Sequence, residues 1–250
     1  MRKVILHYHL FKNAGTSVDE LLKTNFGDRW VTQEFAANNP QVNVAQVGQW
    51  VASQKEAVAF SSHTAMMPPP EMDGVEFFPI VFVRHPIDRI ASAYAFERKQ
   101  GGDSFGAVLA RNTTLAGYIE VRLSLTHDRQ CRNFHSTRFS QMFPSDAESE
   151  HDKALKAVSA LPFVGLVDEF APSVDRLVAW LSPHFPNMRL VSVAKNVSRD
   201  HSITLDEKLA EIEAEVGTAL YQQLVEFNRT DMEIYSKVKN LYRNDEEVVA

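Results

Sequence analysis

Lys12-Asn13-Ala14-Gly15-Thr16-Ser17 packs a cation, a glycine and two hydroxyls into six consecutive residues. Lysine supplies a full positive charge. The free amides of a helix start and the two hydroxyls can donate to an oxyanion, and glycine lets the backbone come close to it. All six residues are candidates for holding a phosphate-like group. The order is not that of a Walker A loop, which sets lysine after the second glycine and directly before Ser or Thr. A second chemical set begins at Arg84-His85-Pro86 and runs through Asp88, Arg89 and Ser92 to Tyr94. A guanidinium repels a metal ion but binds a phosphate through two parallel hydrogen bonds. Arg84 and Ser92 are the candidate ligands of a second phosphate, with Arg89 as a brace. His63 is the candidate general base, because imidazole titrates near neutrality. His9 is a lesser candidate, His7 reads as buried, and Glu34 is the early carboxylate to test.

These residues need a scaffold that brings them to one edge. Val4-Ile5-Leu6, flanked by His7 to Leu10, reads as a buried strand. The spacing of Val18, Leu21, Leu22 and Phe26 predicts a helix over Gly15 to Phe26. A helix is expected at 43–53, a strand at 57–60 and another at 79–83. Pro86 suits the first turn of the helix that follows. Residues 105–125 read as helical and 163–167 as a strand. A helix through Val174, Leu177 and Leu181 and a strand at 190–194 come next. Thr204-Leu205-Asp206-Glu207 has the form of a capping box, opening helix that continues to about residue 241. Strands alternating with helices imply a mostly parallel sheet with helices on both faces. Ligands then bind beyond the carboxyl ends of the strands, where both candidate sets fall.

Lys-x-x-Gly-Thr-Ser after a first strand resembles the 5′-phosphosulfate loop of sulfotransferases that use 3′-phosphoadenosine 5′-phosphosulfate (PAPS). Arg-x-Pro-x-x-Arg-x-x-Ser-x-Tyr resembles their 3′-phosphate motif. The two come in the family's order, and the form is that of the carbohydrate branch that includes heparan sulfate 2-O-sulfotransferase. The resemblance implies a P-loop NTPase-like α/β fold, with PAPS as donor, adenosine 3′,5′-bisphosphate (PAP) as product and no metal requirement. It implies that Lys12 stabilises the leaving oxygen, that Arg84 and Ser92 hold the 3′-phosphate, and that His63 stands where similar enzymes carry their proposed base. Asn133-Phe134-His135-Ser136-Thr137-Arg138 is similar to an Asn-x-x-Thr-Arg-type segment of the same enzymes, which adds Arg138 as a contact of the cofactor or of an acidic acceptor. Phe163 to Phe170 and Asp231 to Tyr235 resemble structural elements of the family. Asn196 and Ser198 follow a predicted strand and are weaker candidates to reach the nucleotide.

The 250 residues are 44% apolar and 23% charged, enough for one α/β domain over 1–250. A net charge of -6 argues against a dedicated nucleic-acid binder. Residues 84–138 run the other way: nine Lys or Arg against five Asp or Glu give +4, as a pocket for an anion would need. One cysteine, Cys131, rules out an internal disulfide and suits a reducing compartment. No apolar leader or long apolar span is present, so a cytoplasmic location is expected. The acceptor expected is a hydroxyl on a carbohydrate or small molecule. Two rival readings are a P-loop kinase-like phosphotransferase, which would want a Walker lysine and an acidic Mg²⁺ ligand, and a non-catalytic nucleotide-binding protein on the same fold.

Overall fold

A computed structural model of the chain describes residues 1–145, 147–190 and 203–249, with side chains through residue 241. In chain order the elements are β1 (Arg2–Tyr8), α1 (Gly15–Phe26), β2 (Trp30–Thr32), α2 (Pro40–Ser53), β3 (Ala59–Ser62), β4 (Val75–Val83), α3 (Pro86–Lys99), α4 (Phe105–Asn112), α5 (Leu115–Ser124) and α6 (Phe134–Phe139). They continue with α7 (Glu150–Ala160), β5 (Val164–Leu166), α8 (Phe170–Leu181), α9 (Leu205–Val216), α10 (Thr218–Phe227) and α11 (Arg229–Val249). Contacts divide the chain into two compact units, Met1–Val83 with Arg138–Ser198, and Arg84–Thr137 with Arg199–Ala250.

The first unit holds a five-stranded sheet of order β2-β3-β1-β4-β5, and every neighbouring pair is parallel. β1 lies at the centre. Its apolar run Val4-Ile5-Leu6 is fully buried, as a strand covered on both faces must be. Ile5, Ala59, Phe78, Ile80 and Phe82 share a core with Val18, Leu21 and Leu22 of α1 and Val174, Leu177 and Leu181 of α8. On the opposite face, Phe60 meets Trp50 of α2 edge to face at 4.8 Å. The fold is thus the expected α/β sheet with helices on both faces. The second unit is helical. Ile87, Ile90 and Tyr94 of α3 pack with Tyr118 and Ile119 of α5, Ile212 of α9 and Leu224 of α10.

Most predicted elements are present, with shifted ends. The run expected over 105–125 is two helices. Thr114 caps the second by accepting the Gly117 N–H, and the Thr113 carbonyl at the break accepts the Tyr94 hydroxyl at 2.9 Å. The capping box at Thr204 and Glu207 forms with both of its reciprocal bonds. β2, α6 and α7 were not foreseen. β2 has three residues, too few for alternation to register. The strand expected at 190–194 lies, beyond Leu190, outside the described residues, as do Asn196 and Ser198.

Candidate active site

In the first unit, β1 ends at Tyr8 and the chain turns through residues 9–14 into α1. Lys12 and Ala14 both take positive φ, 63° and 59°, which costs a non-glycine residue roughly 1–3 kcal/mol. Left-handed residues alternating with ordinary ones turn successive amides inward, the geometry of an anion-binding concavity. No side chain caps α1, and the Ala14, Gly15 and Thr16 amides donate to no protein atom among the described residues. Thr16 is exposed at the helix start, Lys12 is half-buried, and Asn13 and Ser17 are buried. Asn13 holds the turn by donating from Nδ2 to the Phe11 carbonyl at 3.0 Å. Gly15 has a role other than the one its sequence position suggests. Its backbone is ordinary, and a Cβ there would overlap the His9 ring. The glycine makes room for an imidazole.

That imidazole belongs to a cluster of three. His7 and His9 each direct Nδ1 to a different oxygen of Asp19, at 2.8 and 2.7 Å. The His9 ring lies 5.4 Å from His7 on one side and 3.8 Å from His63 on the other, with small interplanar angles. His63 directs Nδ1 to Glu34 Oε1 at 2.7 Å. Burial opposes ionisation of Asp19, but the hydrogen bonds from His7 and His9 outweigh it and hold the carboxyl far below the usual range. Glu34 is held low as well: partial burial works against its charge, and hydrogen bonds from His63 and Thr64 prevail. The ligand-type atoms of His7, His9 and Asp19 lie within 4.8 Å of one another, a set that a divalent cation could use. Both Asp19 oxygens already accept an imidazole nitrogen, so the cluster is also satisfied as a hydrogen-bonded group. His63 remains more than half exposed, whereas His7 is sealed and His9 nearly so.

In the second unit, Arg84 forks onto Asp88 one turn into α3, Nε to Oδ2 at 2.5 Å and Nη2 to Oδ1 at 2.9 Å. Nη1 has no protein partner among the described residues. Ser92, two turns on, is half-buried. Arg89 is fully buried, donates to the Gln130 carbonyl and lies 4.1 Å from the centre of the Phe134 ring, which fixes the turn before α6. Asp231 caps that short helix: its oxygens accept the His135 and Ser136 amides at 2.8 and 2.7 Å. Arg138, at the far end of α6, belongs to the first unit; it is half-buried, and burial pulls its guanidinium below the ordinary value. Several of the cations in residues 84–138 are engaged within the protein. Arg122 is bound to Glu97 and Asp128, Arg132 to the Leu123 and Thr126 carbonyls, and Arg111 to the Gln100 and Gly102 carbonyls. Much of that charge stabilises loops. Cys131 is buried, and desolvation pushes its thiol up to about 12, which suits packing rather than nucleophilic attack.

The sequence model described as the sulfotransferase family matches residues 1–237 of the 250. The chain belongs to the sulfotransferase family. It is also similar to a protein of Archaeoglobus fulgidus described as uncharacterized, 41% identical over 249 residues that cover 97% of this chain and 98% of that one. Among the described residues, no helix is long and apolar enough to cross a membrane.

The structure joins in one unit the loop 12–17 and His63. It adds two residues that the sequence reading does not name, Asp19 and Asn43, and gives Glu34, named there as a carboxylate to test, its partner His63. Asp19 lies four residues after Gly15 on α1, and its signal was the His-x-His pair at the end of β1, two imidazoles on one strand face in need of an acceptor. Glu34 becomes legible only once β2 is placed beside β3. Asn43, fully buried on α2, accepts the Met66 amide at 2.8 Å and donates to the Ala37 and Thr64 carbonyls, which pins the segment after His63. No sequence signal distinguishes that asparagine from a surface one.

Proposed function

We propose that this sulfotransferase uses PAPS as donor, acts on an acceptor hydroxyl of carbohydrate type, and works as one catalytic domain over 1–250. The observation that carries the reading is the turn after β1. Two strained left-handed residues stand beside three amides that have no protein partner among the described residues, next to Lys12 and the Thr16 hydroxyl. That concavity suits an anion, and the family supplies a sulfated phosphate as the anion. Lys12, Asn13, Ala14, Gly15, Thr16 and Ser17 would hold the phosphosulfate, with Lys12 offsetting the charge that builds on the leaving phosphate oxygen. Arg84, through Nη1, and Ser92 would hold the 3′-phosphate, with Arg138 as a further contact. When bound, PAPS supplies a sulfuryl group on a phosphate leaving group. His63 would take the acceptor proton on Nε2 as the acceptor oxygen bonds to sulfur and the bond from sulfur to the phosphate oxygen breaks, which releases PAP.

The carbohydrate acceptor and the heparan sulfate 2-O-sulfotransferase-like branch rest on the motif resemblance alone. A cytoplasmic location goes with the single buried thiol. Function without a metal ion is part of the same reading, since the chemistry assigned to Lys12, the loop amides and His63 needs none.

The test is a thermal-shift comparison of PAP with ATP plus Mg²⁺, on wild type and Arg84→Ala. PAP is expected to stabilise the wild type by about 2.7 kcal/mol at a hundredfold excess over Kd, and Arg84→Ala to lose most of that shift. Stabilisation by ATP with Mg²⁺ but not by PAP would move the chain to the phosphotransferase reading. Equal PAP shifts in both proteins would remove Arg84 from the site.

A further inference from the structure

Glu34 has no part in either motif, yet the fold gives it a fixed place. β2 and β3 run parallel with Thr32 beside Ser61, so a residue two beyond β2 falls next to one just beyond β3. There the Glu34 carboxylate accepts four hydrogen bonds. Oε1 takes the His63 amide at 3.1 Å and His63 Nδ1 at 2.7 Å. Oε2 takes the Thr64 hydroxyl at 2.8 Å and the Ser62 hydroxyl at 3.3 Å. Thr64 Oγ1 in turn accepts the Phe35 amide at 2.6 Å, so both sides of the contact are tied together. A half-exposed acid on a flexible stem would ordinarily be loosely held. Four donors from three consecutive residues remove that freedom.

The consequence falls on His63. A carboxylate accepts only, so Nδ1 must carry the proton, and the lone pair of the neutral ring lies on Nε2. One ring edge is fixed by Glu34, and one face lies against His9, whose own Nδ1 is held by Asp19. The charged and titratable groups around the His63 ring are therefore Glu34 from the segment after β2, His9 after β1, and Asp19 of α1 behind His9. We propose that Glu34 is a positioning residue for His63: it fixes the tautomer that makes Nε2 the proton acceptor and stabilises the imidazolium that forms when the acceptor hydroxyl gives up its proton. This rests on the assignment of His63 as base.

The experiment follows the His63 imidazole by NMR in the full chain, in wild type, Glu34→Gln and Glu34→Asp, with His63→Asn to assign the signals, beside release of PAP from PAPS with water as acceptor. Wild type is expected to show the Nδ1–H tautomer. Glu34→Gln keeps the shape and removes the charge, so its Nδ1–H population is expected to fall and its release of PAP to slow by about two- to fivefold, the size that a half-exposed ion pair supports. Glu34→Asp keeps the charge with shorter reach and should fall between the two. An unchanged tautomer and rate in Glu34→Gln would overturn the proposal, as would a Glu34→Gln protein that loses its PAP-induced thermal shift, since Glu34 would then be part of the framework. If His63→Asn releases PAP at the wild-type rate, the base assignment falls and the catalytic part of the proposal falls with it. If His63→Asn is slow while Glu34→Gln keeps the wild-type tautomer and rate, only the positioning role is lost.

Discussion

Gly15→Ala is the sharpest structural test of the site, because one methyl group is aimed at one ring. The added Cβ would overlap the Cδ2 and Nε2 edge of His9. Relief requires His9 to retreat by roughly 1 Å or more to reach ordinary carbon contact. His9 cannot retreat cheaply, since its Nδ1 is held by Asp19 at 2.7 Å and its ring lies tilted against His63 with centroids 3.8 Å apart. Overpacking of this kind costs about 1–3 kcal/mol, and weakening a buried charge-assisted hydrogen bond adds about 1–3 more. With about 3 kcal/mol taken as the combined loss, a chain of this length should melt about 6–12 °C lower. Gly101 is the control: a Cβ there meets nothing within 4 Å, so Gly101→Ala should melt close to wild type. Differential scanning calorimetry of the three proteins, with and without PAP, reads both stability and the loop. If Gly15→Ala melts within a degree or so of wild type, the His9 ring is not packed on the helix start, and the coupling between the loop and the histidine cluster is refuted.

Asp19→Asn should destabilise the protein by about 2 kcal/mol at pH 7, through loss of the charged partner of His7 and His9. The Asp19 carboxyl is depressed in the folded protein, so its stabilisation is present above the unfolded value near 3.9 and is lost as pH falls through the folded one. The urea-denaturation gap between wild type and Asp19→Asn is accordingly expected to narrow below about pH 5, and a gap that widens on acidification would contradict the assignment. Asp231→Asn keeps the size of the cap but leaves one of the His135 and Ser136 amides facing an NH₂ group, for a cost of about 3 kcal/mol by chemical denaturation. A loss below about 0.5 kcal/mol, typical of a surface change, would show that α6 does not depend on that cap.

Local pattern was enough for the elements with long apolar signals. The buried run Val4-Ile5-Leu6, the stripe Val18, Leu21, Leu22 and Phe26, and the capping box at Thr204 follow from side-chain periodicity and backbone hydrogen-bond needs, which neighbours in sequence satisfy. The loop 12–17 was legible for the same reason, since a helix start exposes amides wherever it occurs. Pairing across the sheet was not legible. Only the parallel register of β2 beside β3 sets Glu34 against His63, and only the close packing of α1 on β1 puts Asp19 under His7 and His9 and gives Gly15 its steric purpose. Those contacts join residues 10 to 29 apart in sequence, through hydrogen bonds whose geometry no composition or spacing encodes. The sequence therefore determined which chemical groups lie at the strand ends, and tertiary packing decided how they are paired, because charge and hydrogen-bond partnership depend on distances of a few ångströms that form only when the sheet closes.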